Sequence, residues 1–148
     1  MDAVELIKQD HERIEKLFGR FLETESETSQ EDLYQEIQTG LALHAEMEER
    51  VLYPAMKPFA AAPVEKAIQH HIEVKEILAK LLDPDLDEQT CEYCITQLME
   101  DVRRHIREEE APDGILAAAR QHLDADTLVE MAAHMTAIQN GSEHNLAA

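Results

Sequence analysis

The sequence predicts an all-α protein, an up-down-up-down four-helix bundle with a short fifth helix at its C-terminal end. The first observation is composition: the 148 residues include only four Gly, five Pro and no Trp, and aromatic residues make up 4%. Such a chain is rich in helix formers and poor in strand-forming runs. The second is periodicity, since apolar residues recur at alternating steps of three and four along four long segments. The third is that only short connections separate these segments, which favours antiparallel neighbours.

Turn-forming residues set the bounds of each element. The four long segments cover about 3–25, 30–56, 63–82 and 87–111, and Ser29 is the candidate N-cap of the second. A fifth helix is expected near 125–139, with Asp124 as its N-cap and Asn140-Gly141 as its end. We therefore expect a single domain over 1–148: a bundle over about 3–111, a helical extension over about 113–140 and a mobile tail over 141–148.

Each long segment carries one histidine within its apolar face. The four faces are Val4, Ile7, His11, Ile14, Phe18 and Phe21; Leu33, Ile37, Leu41, His44, Glu48 and Val51; Val64, Ile68, His71, Lys75, Leu78 and Leu82; and Cys91, Cys94, Leu98, Val102, His105 and Glu109. In an antiparallel bundle, the first three histidines fall at a similar depth from one end. The fourth lies nearer a breaker, Pro112, and we expect its helix to continue past this proline with a kink.

Two of the histidines are followed by a glutamate four residues later. His44 with Glu48 and His105 with Glu109 each place an imidazole and a carboxylate on one face of a helix, one turn apart. Four histidines and two glutamates in one buried layer would be costly without compensation, because unpaired buried charge is unfavourable. A metal supplies that compensation. Nitrogen and oxygen ligands together suit Fe, Mn or Zn, and carboxylates on facing helices can bridge two ions.

The chain also resembles a known family along most of its length. The segments are QDHERIEKLF (9–18), HAEMEERVLYPAM (44–56), HHIEVKEILAKL (70–81) and HIREEE (105–110). They are similar to the four helices of the hemerythrin-like HHE cation-binding domain family. This resemblance implies a non-heme di-iron centre, with two Fe ions joined by an oxo or hydroxo bridge and Zn or Mn less favoured. It also implies roles: His11, His44, His71 and His105 as terminal ligands, and Glu48 and Glu109 as bridges.

One position departs from the oxygen-carrying members of that family. They place a second histidine one turn after the first on the third helix, and this chain has Lys75 there. Reversible oxygen carriage is therefore disfavoured. About two of the roughly twelve coordination positions of two six-coordinate irons stay open, which favours binding or redox processing of O2, peroxide or nitric oxide, in sensing or in protection from oxidative or nitrosative stress. Whether this would be catalysis stays open. The alternative is iron storage or a structural metal.

Several residues near this layer have two interpretations. Lys75 is a candidate hydrogen-bond donor to a ligand, or it extends into solvent. His71 is preferred over its neighbour His70 as the ligand of the third helix, because His71 aligns with the apolar face. Glu46, Glu73 and Glu108 are candidate acceptors for the ligand imidazoles, or exposed residues. We expect Tyr53 to bury its ring and His122, His134 and His144 to face solvent.

Cysteine usage and charge limit the remaining classes. Two Cys exclude a disulfide framework, and Cys91-Glu92-Tyr93-Cys94 is either a packed pair of small apolar residues or a redox-sensitive pair. A net charge of −19 disfavours nucleic acid and anionic membranes as partners. The first residues resemble no export signal. We therefore expect a soluble cytoplasmic protein, and the sequence indicates no particular protein partner.

Overall fold

The structure, a computed structural model, describes the backbone of residues 1–147 and the side chains of residues 1–141. Its helices are α1 (Ala3–Glu23), α2 (Glu27–Met47), a π-helical turn (Glu48–Leu52), α3 (Tyr53–Met56), α4 (Ala61–Lys80), α5 (Glu88–Glu110), α6 (Ile115–His122) and α7 (Ala125–Ala147). No strand occurs among the described residues. The predicted all-helical fold class is confirmed: α1, α2 with its continuation through α3, α4 and α5 are the four long helices of the bundle.

Short polar side chains fix where the helices begin. The Asp2 carboxylate accepts a hydrogen bond from the backbone N–H of Glu5, and Asp87 accepts one from Thr90, at the starts of α1 and α5. Asp124 accepts from Thr127 in the same way, as predicted. The expectation for Ser29 is wrong, since α2 begins three residues earlier after Ser26.

The C-terminal region is larger than the expected short fifth helix. A separate helix, α6, precedes α7, and α7 has 23 residues. The predicted stop at Asn140-Gly141 is wrong because the helix passes through both residues. The mobility expected over 141–148 stays a prediction, and the side chains from residue 142 onward lie outside the described residues.

The fourth long helix ends earlier than predicted, and α6 covers that end of the bundle. The expected continuation past Pro112 is wrong: α5 ends at Glu110, and Ala111 is extended. Proline disfavours the helical conformation of the residue before it. The N-terminal turns of α1 therefore extend beyond α5, and α6 fills the space, so that Ala3, Val4 and Ile7 share an apolar cluster with Ile115 and Leu116.

Two apolar clusters lie on either side of the histidine layer. The first joins α1, the π-helical turn and α3 to α6 and α7, with Met47, Leu52 and Met56 fully buried. The second joins the opposite ends of α1, α2 and α5 around Phe18 and Leu98. The polar layer between them is held by packing on both sides.

The buried face of the third long helix differs from the predicted one. It runs through Val64, Ala67 and His71, whereas Ile68 and Leu82 are exposed. The sequence pattern is compatible with burial of either Ala67 or Ile68, since the two apolar residues are adjacent, and only packing selects between them. None of the helices in the described part combines the length and apolar character needed to cross a membrane.

Candidate metal centre

The structure brings all six predicted ligands into one buried layer. His11 lies on α1, His44 on α2, His71 on α4, and His105 and Glu109 on α5, while Glu48 opens the π-helical turn. All six are buried, and Glu48 has no exposed surface. That these residues bind metal stays a prediction, but the six side chains do converge.

The π-helical turn is the local feature that aims two side chains at this layer. Its wider backbone turn ends with the N–H of Tyr53 donating to the carbonyl of Glu48, five residues earlier. Glu48 and Tyr53 then lie one turn apart on the same face, and the Tyr53 hydroxyl donates to Glu48 Oε1 at 3.0 Å. In a regular α-helix these two positions would diverge by about 140°.

The donor atoms fall into two sets that share Glu48. One set contains His11, His44, Glu48 and Glu109, and the other contains Glu48, His71 and His105; within each, the donor atoms lie within 4.8 Å of one another. Glu109 also reaches both sides: its Oε1 lies 3.3 Å from His11 Nε2 and its Oε2 lies 3.2 Å from His105 Nε2. This arrangement can hold two cations with carboxylates between them.

The first set leaves buried ligand atoms without hydrogen-bond partners. Among the described residues, the unpartnered buried side-chain atoms include His11 Nε2, His44 Nε2, Glu48 Oε2 and Glu109 Oε1, one from each member of the set. Buried polar atoms are rarely left in this state. The second set offers two imidazoles and a carboxylate, which is the same ligand chemistry. The residues present therefore fit a pair of metal ions.

The Nδ1 atoms of His44 and His11, which face away from the layer, form hydrogen bonds with carboxylates that the sequence analysis did not name. His44 Nδ1 donates to Asp10 Oδ2 at 2.6 Å, and His11 Nδ1 donates to Glu110 Oε2 at 2.7 Å. These bonds orient each ring so that Nε2 faces the layer. Adjacency in the sequence was a usable signal, because Asp10 directly precedes His11 and Glu110 directly follows Glu109.

The second pair of rings is held less firmly. His71 Nδ1 lies 3.4 Å from Glu49 Oε2, and the Nδ1 atoms of His105 and His70 are 3.4 Å apart. His71 rather than His70 faces the layer, as preferred from the sequence. His70 lies behind it, with its side chain 20% exposed.

Tyr53 sits at the centre of the second set. Its ring is buried as expected, and its hydroxyl lies 2.6 Å from Glu109 Oε2, 3.3 Å from His71 Nε2 and 3.4 Å from His105 Nε2. Burial and the two neighbouring carboxylates raise the pKa of Tyr53 far above its ordinary value. The phenol therefore keeps its proton, and its one O–H lies within hydrogen-bond distance of both carboxylates, closer to Glu109 than to Glu48.

Without metal, the layer balances its charges with protons. Burial acts to lower the pKa of His105, but the carboxylates of Glu109 and Glu48 outweigh it and raise that pKa to about 10. The same opposition leaves the pKa of His44 well above its ordinary value, through Glu48 and Asp10. Burial would raise the pKa of Glu48, yet the adjacent histidines hold it well below the usual range. Protonated histidines thus supply the positive charge that metal cations would supply if bound.

Other candidates lie away from this layer. Lys75 is exposed and its Nζ lies 3.5 Å from Glu49 Oε2, so its ammonium faces solvent in the structure, and its role as a hydrogen-bond donor to a ligand stays a prediction. Glu46 pairs with Arg50, Glu108 pairs with Lys66, and Glu73 is exposed, so none contacts a ligand nitrogen of the six. His122 stacks on Phe59, His134 is exposed, and the side chain of His144 lies outside the described residues.

The cysteine pair lies near the start of α5, at the end away from His105. Cys94 is buried and Cys91 is half-buried. Burial, Cys94 and two acidic neighbours raise the pKa of the Cys91 thiol, which lowers its reactivity. These features favour the packing interpretation.

Two cavities reach the layer. We call one the apolar cavity: it measures about 90 Å³, and most of its lining is aliphatic, although His44, His70, His71, His105 and Lys75 also line it. We call the other the polar cleft: it measures about 410 Å³ and is lined by Lys66, His70, His105, Glu108, Glu109 and Asp113, among others. His11 lines neither.

Comparison with known proteins gives concordant results. The model of the hemerythrin HHE cation-binding domain matches residues 2–112. A crystal structure of a hemerythrin HHE cation-binding domain-containing protein from Mycobacterium kansasii superposes with a TM-score of 0.78, at 24% identity, over 100% of this chain and 93% of that one. A curated relative from Nostoc sp., named DNA nickase, is 26% identical over 99% of this chain, which spans 41% of that protein's length.

Proposed function

Because this chain belongs to the hemerythrin HHE cation-binding domain family, we propose that it binds two iron ions in the layer between its four long helices. We further propose that the pair binds or chemically processes a small redox ligand, O2, peroxide or nitric oxide. The site would serve ligand sensing or protection from oxidative or nitrosative stress. Iron storage or a structural metal is the alternative.

The observation that carries this proposal is the set of four buried ligand atoms that have no hydrogen-bond partner. The four atoms are His11 Nε2, His44 Nε2, Glu48 Oε2 and Glu109 Oε1. Burying four such groups without a cation is unfavourable. Mixed imidazole and carboxylate donors suit iron, manganese and zinc, and among these the family resemblance favours iron.

The protein's own residues would do three things. Asp10 and Glu110 hold the rings of His44 and His11 in the orientation that presents Nε2. Glu48 spans the two histidine sets, with Oε1 3.1 Å from both His44 Nε2 and His71 Nε2. Tyr53 keeps its hydroxyl proton, which faces the carboxylates of Glu48 and Glu109. A pair of irons, when bound, would supply exchange of electrons with the ligand.

Metal analysis and optical spectroscopy of the purified protein test the proposal. We expect about two irons per chain, from the number of donor sets, and a near-ultraviolet spectrum that changes on reduction and on exposure to O2, peroxide or nitric oxide. The variants His44→Ala and Glu109→Ala should lose most of the metal, because each leaves a donor set incomplete.

His134→Ala is the matched control, since His134 is exposed and belongs to neither donor set. It should keep the full metal content. Undiminished metal in both His44→Ala and Glu109→Ala would reject the site. Zinc in place of iron, with a spectrum that responds to no ligand, would reject redox function and leave a structural metal.

We do not propose DNA nicking, the activity in the relative's name, for this chain. This chain spans less than half of that protein, and its net charge of −19 opposes contact with phosphates. We propose instead that its ligand is small, and that neither DNA nor a membrane surface is a partner. A cytoplasmic location is proposed with it. In a gel-shift assay at low salt, we expect the protein to leave the mobility of duplex DNA unchanged.

A further inference from the structure

We propose that the polar cleft is the route by which a divalent cation reaches the histidine layer, with Glu108 as its first anionic contact and Lys66 as the group that opposes its entry. This inference rests on the proposed function and adds how the site is filled. Three features support it: the charges along the cleft, the buried carboxylate where the cleft ends, and the ion pair at its mouth.

The two cavities that reach the layer differ in the charge of their walls. Three carboxylates, Glu108 and Asp113 among them, line the polar cleft and outnumber the single ammonium there, that of Lys66. The apolar cavity has mostly aliphatic walls, and among the described residues that line it only Lys75 carries a permanent charge, a positive one. His105 lines both cavities, so its charge does not distinguish them. Apolar walls and a lysine disfavour a hydrated divalent cation, whereas carboxylates attract it. The cleft is therefore the route that suits a cation.

The cleft ends on a carboxylate that has an unpartnered oxygen. Glu109 and His105 both line the cleft, and both belong to the metal layer. The side chain of Glu109 is 3% exposed, and its Oε1 has no hydrogen-bond partner. Because a buried carboxylate oxygen is rarely left in this state, it favours the arrival of a cation. The cleft thus connects exposed residues at its mouth with a buried group that is ready to bind the ion.

A half-buried histidine lies between the mouth of the cleft and the layer. His70 Nδ1 lies 3.7 Å from Glu108 Oε2 and 3.4 Å from His105 Nδ1. His70 belongs to neither donor set. Together with Glu108 it offers a cation an imidazole and a carboxylate, which are the kinds of ligand found in the layer. The cation therefore meets suitable donors before it reaches its final position.

A lysine holds the carboxylate at the mouth. Lys66 Nζ lies 3.4 Å from Glu108 Oε1, and the lysine side chain is mostly exposed. An exposed ion pair of this kind is weak, so it separates readily. Lys66 competes with an arriving cation for the same carboxylate and repels it by like charge. Removal of one charge or the other should therefore change the rate of metal uptake in opposite directions.

The rate at which the metal-free protein takes up cobalt(II) tests the route. Cobalt(II) suits the same imidazole and carboxylate ligands, and its visible absorption reports coordination in a stopped-flow instrument. Glu108→Gln should slow uptake by about tenfold, and Lys66→Gln should speed it by about threefold, because each removes one charge beside the path of a divalent ion. The final cobalt content should equal that of the unmodified protein in both variants, since neither residue belongs to a donor set.

A second exposed ion pair supplies matched controls. Glu46 pairs with Arg50 as Glu108 pairs with Lys66, and the exposed fractions of the two carboxylate side chains are 38% and 40%. Glu46→Gln and Arg50→Gln remove the same charges, but neither residue lines the polar cleft. Both variants should take up cobalt at the unmodified rate. Equal changes in the two pairs would mean that the overall charge of the protein governs uptake, and would overturn the route.

Ionic strength gives an independent measurement. Cobalt uptake by the unmodified protein should slow as salt rises, because salt screens the attraction between the cation and the carboxylates of the cleft. This dependence should be weaker in Glu108→Gln, which has lost one of those carboxylates. The same salt dependence in both proteins would overturn the role of Glu108 as the first contact.

Metal content separates this inference from the proposed function. A protein that binds neither cobalt nor iron rejects the proposed function. A protein that fills completely, at one rate in all four variants, rejects only the route. A reduced final cobalt content in Glu108→Gln would make Glu108 part of the site itself, and would likewise overturn its role at the mouth.

Discussion

Partners of the outer histidine nitrogens decide how the six residues face one another. Asp10 and Glu110 are each adjacent to or near a ligand in sequence, but only the packing of α1 against α2 and α5 brings them to the ring of a different helix. Burial acts to raise the pKa of Asp10, yet its hydrogen bond with His44 and the charges of His44 and Arg13 hold that pKa below the ordinary value. The carboxylate is therefore charged when it orients the ring.

Tyr53→Phe tests the role of the central hydroxyl. We expect the variant to keep its metal, because no predicted ligand is lost, but to lower the free energy of unfolding by about 1.5–3 kcal/mol through lost hydrogen bonds to charged carboxylates. Urea denaturation and metal analysis measure the two effects. Tyr34→Phe is the control, since the Tyr34 hydroxyl is buried without a partner. It should be neutral or slightly stabilising, and an equal loss in both variants would contradict the assigned role.

The raised pKa of His105 predicts how the metal-free protein responds to pH. Its folded pKa of about 10 exceeds the ordinary 6.5, so the stabilisation is fully present below pH 6.5 and is lost as pH rises towards 10. We expect the free energy of unfolding to fall by several kcal/mol across that interval. Urea titrations at intervals of pH measure it. A flat profile would mean that the histidine and its carboxylates are not paired in the metal-free state.

At the scale of elements, two irregular backbone segments position the acidic ligands. The π-helical turn at Glu48–Leu52 places Glu48 and Tyr53 on one face. The turn after α5 holds Glu109 by close backbone packing: a Cβ at Gly114 would lie 2.4 Å from the carbonyl oxygen of Glu108 and 2.5 Å from that of Glu109. Glycine is needed there for close approach.

Gly114→Ala tests this turn. Because the carbonyls belong to the backbone, the turn must shift, and we expect a loss of about 1–3 kcal/mol in stability together with reduced metal content through displacement of Glu109. Gly19→Ala is the contrasting variant, since a Cβ there meets nothing within 4 Å. In the interior of α1 it should stabilise the protein by about 0.5–1 kcal/mol and leave the metal content unchanged. Unfolding curves and metal analysis distinguish the two.

At the scale of the whole molecule, the polar layer lies between two apolar clusters. The cluster built on α6 and α7 supports the π-helical turn and α3, through contacts of Leu128, Met131 and Met135 with the same core as Leu52 and Tyr53. The other cluster closes the opposite end around Phe18. The residues beyond 112, which the family model does not match, therefore form part of the support for the site.

Removal of the metal tests how far the fold depends on it. We expect a chelator to lower the thermal midpoint but to leave the far-ultraviolet circular dichroism at the folded value, because both apolar clusters remain and protonated His44 and His105 balance the carboxylates. Loss of helical signal on chelation would instead assign the metal a structural role. Re-addition of ferrous iron should restore the midpoint.

The sequence by itself determined the helical class, the four long segments and the six converging residues. Period and spacing place these residues on the core-facing side of each helix, because positions three and four apart share a helical face whatever the partner, and short connections between antiparallel helices favour a similar depth. Asp124 as an N-cap was also readable, because its hydrogen bond to Thr127 is local.

Tertiary structure decided what depends on contacts between helices. Packing selected Ala67 over Ile68 for the buried face of α4 and left Lys75 in solvent. The short hydrogen bonds that hold the rings of His44 and His11 belong here as well, since the bonds from Asp10 and Glu110 each join two helices. Local propensity carries no information about distances between segments far apart in the chain, and those distances set the chemistry of the site.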